Sequence, residues 1–280
     1  MKSLKFTKMV ASGNDFVVIN KFDTSILPDS KKELAIFARY ACDRKFGIGA
    51  DGVLVIEKSK LADFKMRIFN ADGSEAEMCG NGSRCAALYY AERVLRSKKD
   101  FLKLKIQALA GLLSSEVKSD IIKVKLTDPH SLKLDIPLDI DGKEFNVHFI
   151  NTGVPHVVFF CDRLEELDII PIARQIRYHK KFSPRGANVN FVTVIDSKNI
   201  RIRTYERGVE DETLACGTGS TASAIISAVL FKKTGENIVK VLPRSNEPLN
   251  IYFNNHDNKL ISDVWLEGGA RFVFDGSLTE

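Results

Sequence analysis

The 280-residue sequence predicts an α+β fold that is built from two homologous domains. The first observation is a duplicated pattern, Cys-Gly-x-Gly-Ser, which begins at Cys79 and again at Cys216, nearly half the chain length later. The second is that other segments of the two halves match in the same order and at nearly the same offset. The third is that each pattern leads into a run with helical spacing of apolar residues. Together they predict two domains related by a pseudo-two-fold axis.

The ordered matches define the extent of the repeat. The matched segments are 12–18 with 152–158, 39–40 with 177–178, 49–51 with 186–188, and 124–126 with 264–266. From where the matches stop, we expect a first domain at 1–128 and a second at 129–269. Residues 129–144, with a turn at Asp141-Gly142, are expected to join the two repeats. The tail that follows Ala270 is typical of one extra strand outside the second repeat.

Local patterns predict the elements of each domain. Runs of β-branched and aromatic residues that are typical of strands occur at 17–20, 53–56, 64–69, 103–107 and 121–126. Ser30 followed by Glu33 is a capping-box pattern, which predicts the start of a helix. The segment 221–231 has no charged residue on any face, so a helix there must be buried. We therefore expect each domain to be a strongly curved, barrel-like mixed sheet around a central helix.

The composition narrows the classes of function. With 44% hydrophobic and 28% charged residues, the chain is typical of a globular protein. Its formal charge of +5 is spread without a long basic run, which argues against a nucleic-acid-binding protein. No apolar run is long enough to span a bilayer, and the first residues lack the pattern of a signal peptide. We therefore expect a cytoplasmic protein without a membrane partner, whose five cysteines are free thiols.

Each cysteine pattern combines a thiol with a cradle for an anion. At a helix N-terminus the positive end of the dipole favours the thiolate, and unpaired N–H groups can bind a carboxylate. Glycines let the backbone approach that anion closely. If Cys79 and Cys216 face each other across a cleft, one thiolate can remove a proton from a carbon while the other thiol protonates the opposite face. The pattern therefore predicts inversion of a stereocentre, with the developing charge stabilised without a cofactor.

Other interpretations of the cysteines explain less of the sequence. A lone buried cysteine is usually a small core residue, and this is the role that we expect for Cys42, Cys85 and Cys161. That role does not account for the glycines that the other two cysteines share. A structural zinc site would need closer cysteine pairs than this chain has, so we expect no metal. A disulfide between Cys79 and Cys216 would be an oxidised, inactive form.

The sequence resembles the diaminopimelate epimerase family over nearly its whole length. The segments that carry the resemblance are Ser-Gly-Asn-Asp-Phe at 12–16, Gly-Ile-Gly-Ala-Asp-Gly at 47–52, Phe-Asn-Ala-Asp-Gly-Ser at 69–74, Met-Cys-Gly-Asn-Gly at 78–82, Gly-Ala-Asn-Val-Asn-Phe at 186–191, Tyr-Glu-Arg-Gly at 205–208 and Glu-Thr-Leu-Ala-Cys-Gly-Thr-Gly at 212–219. The family implies a pyridoxal-independent enzyme that converts LL-2,6-diaminopimelate to the meso form, for lysine and peptidoglycan synthesis. It also implies a homodimer, and a final strand at 270–280 that crosses back to the first domain.

The resemblance implies roles for individual side chains. The thiolate at Cys216 would remove the proton and the thiol at Cys79 would return one, while His156 and Glu206 tune the two thiols. The positions that match substrate-binding residues are Asn14, Asn70, Gly80, Asn81, Asn188, Glu206, Arg207, Gly217 and Thr218. The asparagines would hold the substrate, above all its distal end. The glycines and the threonine would bind its carboxylate through the backbone, and the Glu-Arg pair would bind an ammonium and a carboxylate.

Each of these residues also has an ordinary interpretation, and rival functions stay open. The asparagines could be turn residues, the Glu-Arg pair a surface ion pair, and His156 a polar residue without a catalytic role. Val154 and Gly52 stand where some family members have asparagine and glutamine, so two distal contacts are missing or replaced. A proline racemase or hydroxyproline epimerase also uses paired cysteines, but its substrate has no distal amino acid. A thiol-based redox sensor or binding protein without turnover is the rival from another class.

Overall fold

A computed structural model describes residues 3–22, 27, 30–258 and 260–279 of the chain. The chain separates into two compact units. The first comprises Met1–Val124 and Gly268–Glu280, and the second comprises Lys125–Glu267. The limits 1–128 and 129–269 stay predictions of where the homologous domains end. Within the described residues, no helix has both the length and the apolar character that crossing a membrane requires.

The chain alternates between runs of strands and short helices. The strands are β1 (Ser3–Ala11), β2 (Asn14–Asn20), β3 (Gly52–Glu57), β4 (Phe64–Asn70), β5 (Glu75–Ala76), β6 (Leu102–Ala108), β7 (Gly111–Lys118), β8 (Ile121–Lys125), β9 (His130–Ile140), β10 (Lys143–Asn151), β11 (Pro155–Phe160), β12 (Asn188–Val194), β13 (Asn199–Glu206), β14 (Asp211–Thr213), β15 (Gly235–Leu242), β16 (Leu249–Asn255), β17 (Ile261–Gly269) and β18 (Arg271–Thr279). The helices are α1 (Lys31–Cys42), α2 (Gly80–Tyr89, continued by a π-helical turn at Tyr90–Val94), α3 (Ile169–Arg177) and α4 (Gly217–Leu230). Short 3₁₀ turns lie at Leu164–Glu166 and Lys180–Phe182. The predicted α+β class is confirmed, and the predicted strands correspond to β2, β3, β4, β6 and β8.

The two units have the same succession of parallel and antiparallel strand pairs, although the outermost strand of the first unit, β18, comes from the C-terminal segment. The order is β18-β1-β2-β3-β4-β6-β7-β8 in the first unit and β9-β10-β11-β12-β13-β15-β16-β17 in the second. The parallel pairs are β2–β3 and β4–β6 in the first unit, and β11–β12 and β13–β15 in the second. The other neighbours in these orders are antiparallel. The same sequence of parallel and antiparallel pairs is the outcome that a duplicated domain predicts.

Each unit curves its sheet around one buried helix. Helix α2 packs against β1, β2, β3, β4 and β7, and helix α4 packs against β10, β11, β12, β13, β15 and β16. Every residue of α2 is buried, including Arg84, and α4 is buried almost throughout from Gly219 to Val229. Removing these apolar side chains from water is the main force that holds helix and sheet together. The predicted buried helix after Cys216, within a curved sheet, is therefore confirmed.

A second helix covers the outer face of each sheet. Helix α1 packs on β3 and β4, and helix α3 packs on β12 and β13. The predicted cap of α1 is present, because the Ser30 hydroxyl accepts the Glu33 backbone N–H at 3.2 Å and also donates to the Glu33 carboxylate. The outer helices fix the sheet from one side and leave its inner face to α2 and α4, whose first turns carry the duplicated cysteines.

The segment 129–144 differs from the join that was expected. It contains β9, which pairs antiparallel with β10 through a turn at Asp141 and Gly142, whose φ angles are 52° and 75°. The turn prediction is confirmed, but most of the segment is a strand of the second unit. Its alternating apolar residues are Leu132, Leu134, Ile136, Leu138 and Ile140. This alternation is the period-two signal of a strand.

The C-terminal strand β18 lies beside the N-terminal strand. It pairs antiparallel with β1, from Ser3 opposite Thr279 to Val10 opposite Arg271, with one register shift. Glu280, the last residue of the predicted 270–280 strand, lies outside the described residues. This pairing brings the end of the chain onto the first unit, where it extends the sheet that holds α2.

Candidate active site

Both duplicated cysteines occupy the N-cap position of the central helix in their unit. Cys79 caps α2 with φ −144° and ψ 120°, and Cys216 caps α4 with φ −112° and ψ 112°. In each helix, the first intrahelical hydrogen bond is donated by the backbone N–H of the serine four positions later. Ser83 and Ser220 each donate to the cysteine carbonyl oxygen at 2.8 Å. The N–H groups of the residues in between have no carbonyl acceptor within the helix, although in α2 the Gly82 N–H bonds the side chain of Cys79. The two patterns therefore fold as the same backbone device.

In the first unit, the Cys79 thiol lies between a donor and an acceptor. The Gly82 backbone N–H donates to Cys79 Sγ at 3.4 Å, which favours the thiolate. On its other side, the thiol donates to Asn14 Oδ1 at 3.8 Å, which favours the protonated form. The residue is partly exposed. Cys79 is thus a half-buried thiol with a hydrogen-bond acceptor in reach.

The asparagines around Cys79 have fixed orientations. Asn14 donates through Nδ2 to Asp51 Oδ2 at 2.7 Å, and its Oδ1 accepts from Asn81 Nδ2 at 3.4 Å. Asn81 Oδ1 in turn accepts from Arg84 Nη2 at 3.0 Å. Because a guanidinium only donates and a carboxylate only accepts, the two charged groups determine which end of each amide faces its neighbour. The structure therefore brings two predicted substrate residues, Asn14 and Asn81, together at Cys79.

Asn70 and Gly80 complete the predicted set in this unit. Asn70 is exposed at the end of β4 and donates through Nδ2 to Ser74 Oγ at 2.9 Å, within its own turn. Gly80 is buried at the first position of α2, directly after Cys79. Gly52 leaves no space for a side chain, since a Cβ there would lie 2.8 Å from the Phe69 carbonyl oxygen.

In the second unit, the Cys216 thiol has a different neighbour. Its Sγ lies 3.5 Å from the Thr218 hydroxyl oxygen, and the thiol is 7% exposed. The Thr218 carbonyl oxygen accepts from the Thr152 hydroxyl at 3.0 Å, which ties the first turn of α4 to the loop before β11. Gly217 precedes Thr218 in the same turn. Where the thiol of the first unit has an amide oxygen as partner, this one has a hydroxyl group that can donate.

A glycine in the first turn of α4 is required by close packing. A Cβ at Gly219 would lie 2.2 Å from Asn190 Oδ1, a distance that real side chains do not reach. The matching Gly82 of α2 is less constrained, since its nearest neighbour would be Leu54 Cδ2 at 3.1 Å. The duplicated glycine therefore has a steric role in the second unit that it largely lacks in the first.

His156 is fully buried and neutral near this turn. Burial, with the charge of Arg207 as a second cause, lowers its pKa to about 3. Asn190 Nδ2 donates to the Val157 carbonyl oxygen at 2.9 Å and faces His156 Nδ1 at 3.1 Å. Both ring nitrogens face side-chain amide NH₂ groups, since Asn188 Nδ2 lies 3.5 Å from Nε2. Asn190 was not among the predicted site residues, although it lies two positions after Asn188 on β12 and therefore on the same face of the strand.

Asn188 and Arg207 lie near His156, and Glu206 is the last residue of β13, directly before Arg207. Asn188 Oδ1 accepts the Arg207 backbone N–H at 2.7 Å, so its Nδ2 is directed away from that contact and lies 3.5 Å from His156 Nε2. Glu206 Oε1 accepts from the Thr213 hydroxyl at 2.5 Å. Among the described residues, no carboxylate lies within 4 Å of the Arg207 guanidinium, and burial followed by the charges of Arg177 and Arg185 lowers its pKa. Glu206 and Arg207 therefore do not form the surface ion pair of the ordinary interpretation.

The other cysteines lie in hydrophobic cores. Cys42 and Cys85 are buried within the apolar clusters of the first unit, and Cys161 lies at the edge of a cluster in the second. Burial raises the pKa of Cys42 to about 11 and also raises that of Cys161. Thiols of this kind are poor bases at neutral pH. Among the described residues, no group of three or more His, Cys, Asp or Glu side chains could hold a metal ion.

Several known proteins are similar in sequence to this chain over nearly its whole length. A family model described as diaminopimelate epimerase matches residues 6–131 and 148–271. A diaminopimelate epimerase from Hydrogenobaculum is 43% identical over 281 residues, covering 98% of both chains. One from Aquifex aeolicus is also 43% identical, over 286 residues, covering 99% of this chain and 98% of the relative.

Solved structures show the same fold at low sequence identity. A phenazine biosynthesis protein of the PhzF family from Bacillus anthracis has a TM-score of 0.78 at 19% identity, with both chains covered completely. A hydroxyproline epimerase from Agrobacterium vitis, with bound trans-4-hydroxy-L-proline, has a TM-score of 0.72 at 13% identity, covering 99% of this chain and 91% of that one. At these identities the likeness concerns the fold alone.

Proposed function

Because the chain belongs to the diaminopimelate epimerase family, we propose that it converts LL-2,6-diaminopimelate to the meso form. The reaction inverts one α-carbon and leaves the other unchanged. The observation that carries the proposal is the repeated placement of a cysteine at the N-cap of a buried helix, Cys79 on α2 and Cys216 on α4. We propose that these two thiols act on one α-carbon from opposite faces, without pyridoxal phosphate or a metal.

The chemistry follows from the two caps. The thiolate of Cys216 takes the α-proton, and the thiol of Cys79 gives its proton to the opposite face of the carbanion. The proton taken stays on Cys216, and Cys79 is left as the thiolate, so the reverse reaction uses the same groups in exchanged roles. In this proposal, backbone N–H groups of the first turns, those of Gly80 and Asn81 in α2 and of Gly217 and Thr218 in α4, bind the substrate carboxylate as negative charge moves into it.

The unlike neighbours of the thiols support this division of roles. The Thr218 hydroxyl, 3.5 Å from Cys216, can donate to a thiolate. The Asn14 carbonyl oxygen, 3.8 Å from Cys79, can only accept, and so favours the protonated thiol. The neutral, buried His156 adds no charge to the second unit, because its pKa is about 3. In the resting enzyme we therefore assign the base to Cys216 and the acid to Cys79 for the LL substrate.

Recognition of the second amino-acid group is assigned to polar side chains around each cap. Arg207, which has no carboxylate partner among the described residues, supplies a cation for the distal carboxylate. Asn188 has its oxygen engaged by the Arg207 N–H and can offer Nδ2 as a donor to that carboxylate. Glu206 and Asn70 supply acceptors for the distal ammonium. His156 and Glu206 are proposed to tune the thiols.

The family resemblance supports further features of the proposal. We propose a cytoplasmic homodimer that serves lysine and peptidoglycan synthesis, with the 1–128 and 129–269 domains each contributing one thiol. Size-exclusion chromatography with light scattering measures the mass in solution. Twice the 31.3 kDa chain mass is the expected result, and a monomer that is fully active would contradict the dimer.

Incubation with LL-diaminopimelate in deuterated water tests the function directly. Because the proton removed by Cys216 is not the one returned by Cys79, the product should carry deuterium at the inverted α-carbon, as measured by NMR and mass spectrometry. The control is the Cys42→Ala variant, which should behave as wild type. Absence of both deuterium incorporation and meso product would contradict the proposal. Faster exchange into proline or hydroxyproline would favour the rival family of racemases.

A further inference from the structure

A charged cluster at the ends of β1, β2 and α1 lies directly behind the Cys79 site. Lys8 Nζ is buried and lies 2.8 Å from Asp15 Oδ2, and Arg44 Nη2 bridges Asp15 at 2.9 Å and Asp51 at 2.8 Å. Burial opposes ionisation of Asp15, yet hydrogen bonds from Arg44 and Lys8 lower its pKa to about 2. The cluster therefore holds charged groups in place at neutral pH. Its outermost carboxylate is Asp51, whose side chain is 42% exposed.

Asp51 controls the orientation of one amide in the active site. Its Oδ2 accepts from Asn14 Nδ2 at 2.7 Å, while its Oδ1 accepts from Arg44. A carboxylate has no proton to donate at neutral pH, so only the NH₂ end of Asn14 can face it. The carbonyl oxygen of Asn14 must then face the other way, where it lies 3.8 Å from the Cys79 sulfur.

A second charged group, Arg84, fixes the orientation of the neighbouring side-chain amide, that of Asn81. Arg84 is fully buried and donates to Asn81 Oδ1 at 3.0 Å. The NH₂ of Asn81 consequently faces Asn14 Oδ1 at 3.4 Å. From Arg84 through Asn81 and Asn14 to Asp51, two amide dipoles are aligned head to tail between a cation and an anion. Reversing the Asn14 amide would place two NH₂ groups against each other and one carbonyl oxygen against a carboxylate.

We propose that Asp51 is a positioning residue for Cys79, which it influences only through Asn14. It holds the Asn14 carbonyl oxygen toward the sulfur, and this oxygen stabilises the protonated thiol that serves as the acid. With the Nδ2 group engaged, Asn14 presents an acceptor to the site, which suits an ammonium and repels a carboxylate. The assignment to the acid step and to an ammonium rests on the proposed function. The effect on the thiol rests on the contacts alone.

Substitution Asp51→Asn removes the carboxylate that fixes this contact, with little change in shape. Arg44 donates to one Asp51 oxygen, while Asn14 and the Asp15 backbone N–H, at 3.1 Å, donate to the other, so the new amide must set its NH₂ against a donor. The Asn14 amide then loses the partner that fixes its orientation, and its carbonyl oxygen is no longer held toward the Cys79 sulfur. The ion pair that is lost is half-exposed, and such pairs contribute little to stability, so the variant should fold.

The test is a double-mutant cycle read by alkylation of Cys79. Iodoacetamide labelling followed by peptide mapping gives the rate at Cys79 from pH 6 to 10 for the wild type, Asp51→Asn, Asn14→Ala and the double variant. Asp51→Asn should raise the rate at neutral pH about fivefold, the factor that one ordinary hydrogen bond represents, and shift the profile to lower pH. In the Asn14→Ala background the same change should alter the rate by less than about twofold.

The cycle separates positioning from simple charge removal. Loss of the Asp51 charge alone would speed alkylation equally in both backgrounds, and that result would overturn the proposal, as would an unchanged profile in the single variant. Thermal unfolding of each variant verifies that it is folded. Labelling requires no turnover, so its outcome is independent of the deuterium experiment. A positive cycle in a protein that does not epimerise would refute the proposed function and keep the role of Asp51.

Discussion

The two thiol sites have the same backbone and different side-chain surroundings. Cys79 and Cys216 both cap a buried helix, and both accept the same first-turn bond from a serine. Around Cys79 the polar groups are amides held by Arg84 and Asp51, whereas around Cys216 the near group is the Thr218 hydroxyl. The duplication thus repeats the backbone of the site, and in the proposed mechanism the different neighbours make Cys79 the acid and Cys216 the base.

Removal of either thiol should have the largest effect on the reaction. Cys79→Ala and Cys216→Ala should each lower kcat/KM by at least about 10³-fold, because each direction needs one base and one acid. Cys42→Ala, Cys85→Ala and Cys161→Ala are matched controls in the cores and should keep most activity. The assay is the initial rate of meso-diaminopimelate formation, measured over LL-substrate concentrations from below KM to saturation. Near-normal turnover by either of the first two variants would show that the two sites do not act as a pair.

Substrate truncation tests the residues that distinguish the surroundings of the thiols. If Asn70, Asn188 and Arg207 bind a second amino-acid group, proline and lysine should be rejected by at least ~10⁴-fold in kcat/KM, as in sites built on substrate hydrogen bonds. Part of the loss should appear in kcat, since remote binding also positions the reacting end. Comparing LL-diaminopimelate, proline and lysine on the wild type measures this. Equal turnover of proline would place the chain with the proline racemases.

The duplicated glycines should respond unequally to the same substitution. Gly219→Ala places a Cβ 2.2 Å from Asn190 Oδ1 and should displace that side chain together with His156, at a cost of about 10²-fold in kcat/KM. Gly82→Ala, with its nearest neighbour at 3.1 Å, should stay within about fivefold of wild type. Steady-state kinetics of the two variants provides the comparison. Equal losses of kcat/KM in the two variants would show that the steric difference between the two glycine positions does not affect activity.

The hydroxyl beside Cys216 should have a smaller, opposite effect to that of Asn14. Thr218→Val removes a donor to the thiolate and should slow iodoacetamide labelling of Cys216 about fivefold at neutral pH, while Asn14→Ala speeds labelling of Cys79. Thr221→Val is the matched control, because the Thr221 hydroxyl donates to the Gly217 carbonyl oxygen and not to a thiol. Peptide-resolved labelling rates decide the matter. Faster labelling of Cys216 in Thr218→Val would reverse the assignment of base and acid.

His156 should affect stability more than the charge of the site. Its pKa is about 3 in the folded chain and near 6.5 when unfolded, so between these values the unfolded state binds the additional proton. Stability from this group is complete above pH 6.5 and is lost as the pH falls toward 3. Urea unfolding should show about 2 kcal/mol less stability at pH 5 than at pH 7 from this source.

Substitution isolates the contribution of that histidine. The difference between pH 7 and pH 5 should shrink in His156→Gln and persist in His130→Gln, a control at an exposed position. If both variants keep the same pH dependence of the free energy of unfolding, another group is responsible for it.

Much of the fold could be predicted from the sequence because its signals are local. The uncharged run after Cys216 has one solution, a buried helix, and the Ser30 cap depends on a residue three positions away. Strand β9 was missed because the repeat matches stop near 128, although the alternation of apolar residues along β9 was visible. Matches between the two halves therefore identify the duplication, but they do not predict β9, which lies outside the matched segments.

The polar details of the site depend on contacts between distant segments. Asp51 reaches Asn14 across 37 positions, and Arg84 reaches Ser12 across 72, so no short motif reveals which end of an amide faces a thiol. Asn190 was missed for the same reason, since its importance comes from His156 on the neighbouring strand. The sequence predicts which residues carry the chemistry, a prediction that activity measurements must test, and tertiary contacts determine which of them donate and which accept.

Controlled oxidation tests the central claim, that Cys79 and Cys216 act on one carbon from opposite sides. Two thiols that flank a single α-carbon are close enough to form a disulfide once the substrate is absent. Mild oxidant should therefore link Cys79 to Cys216, abolish activity, and be reversed by reductant, with the link identified by peptide mapping. Saturating substrate should slow the reaction. Loss of activity while these two cysteines remain unlinked would contradict the account.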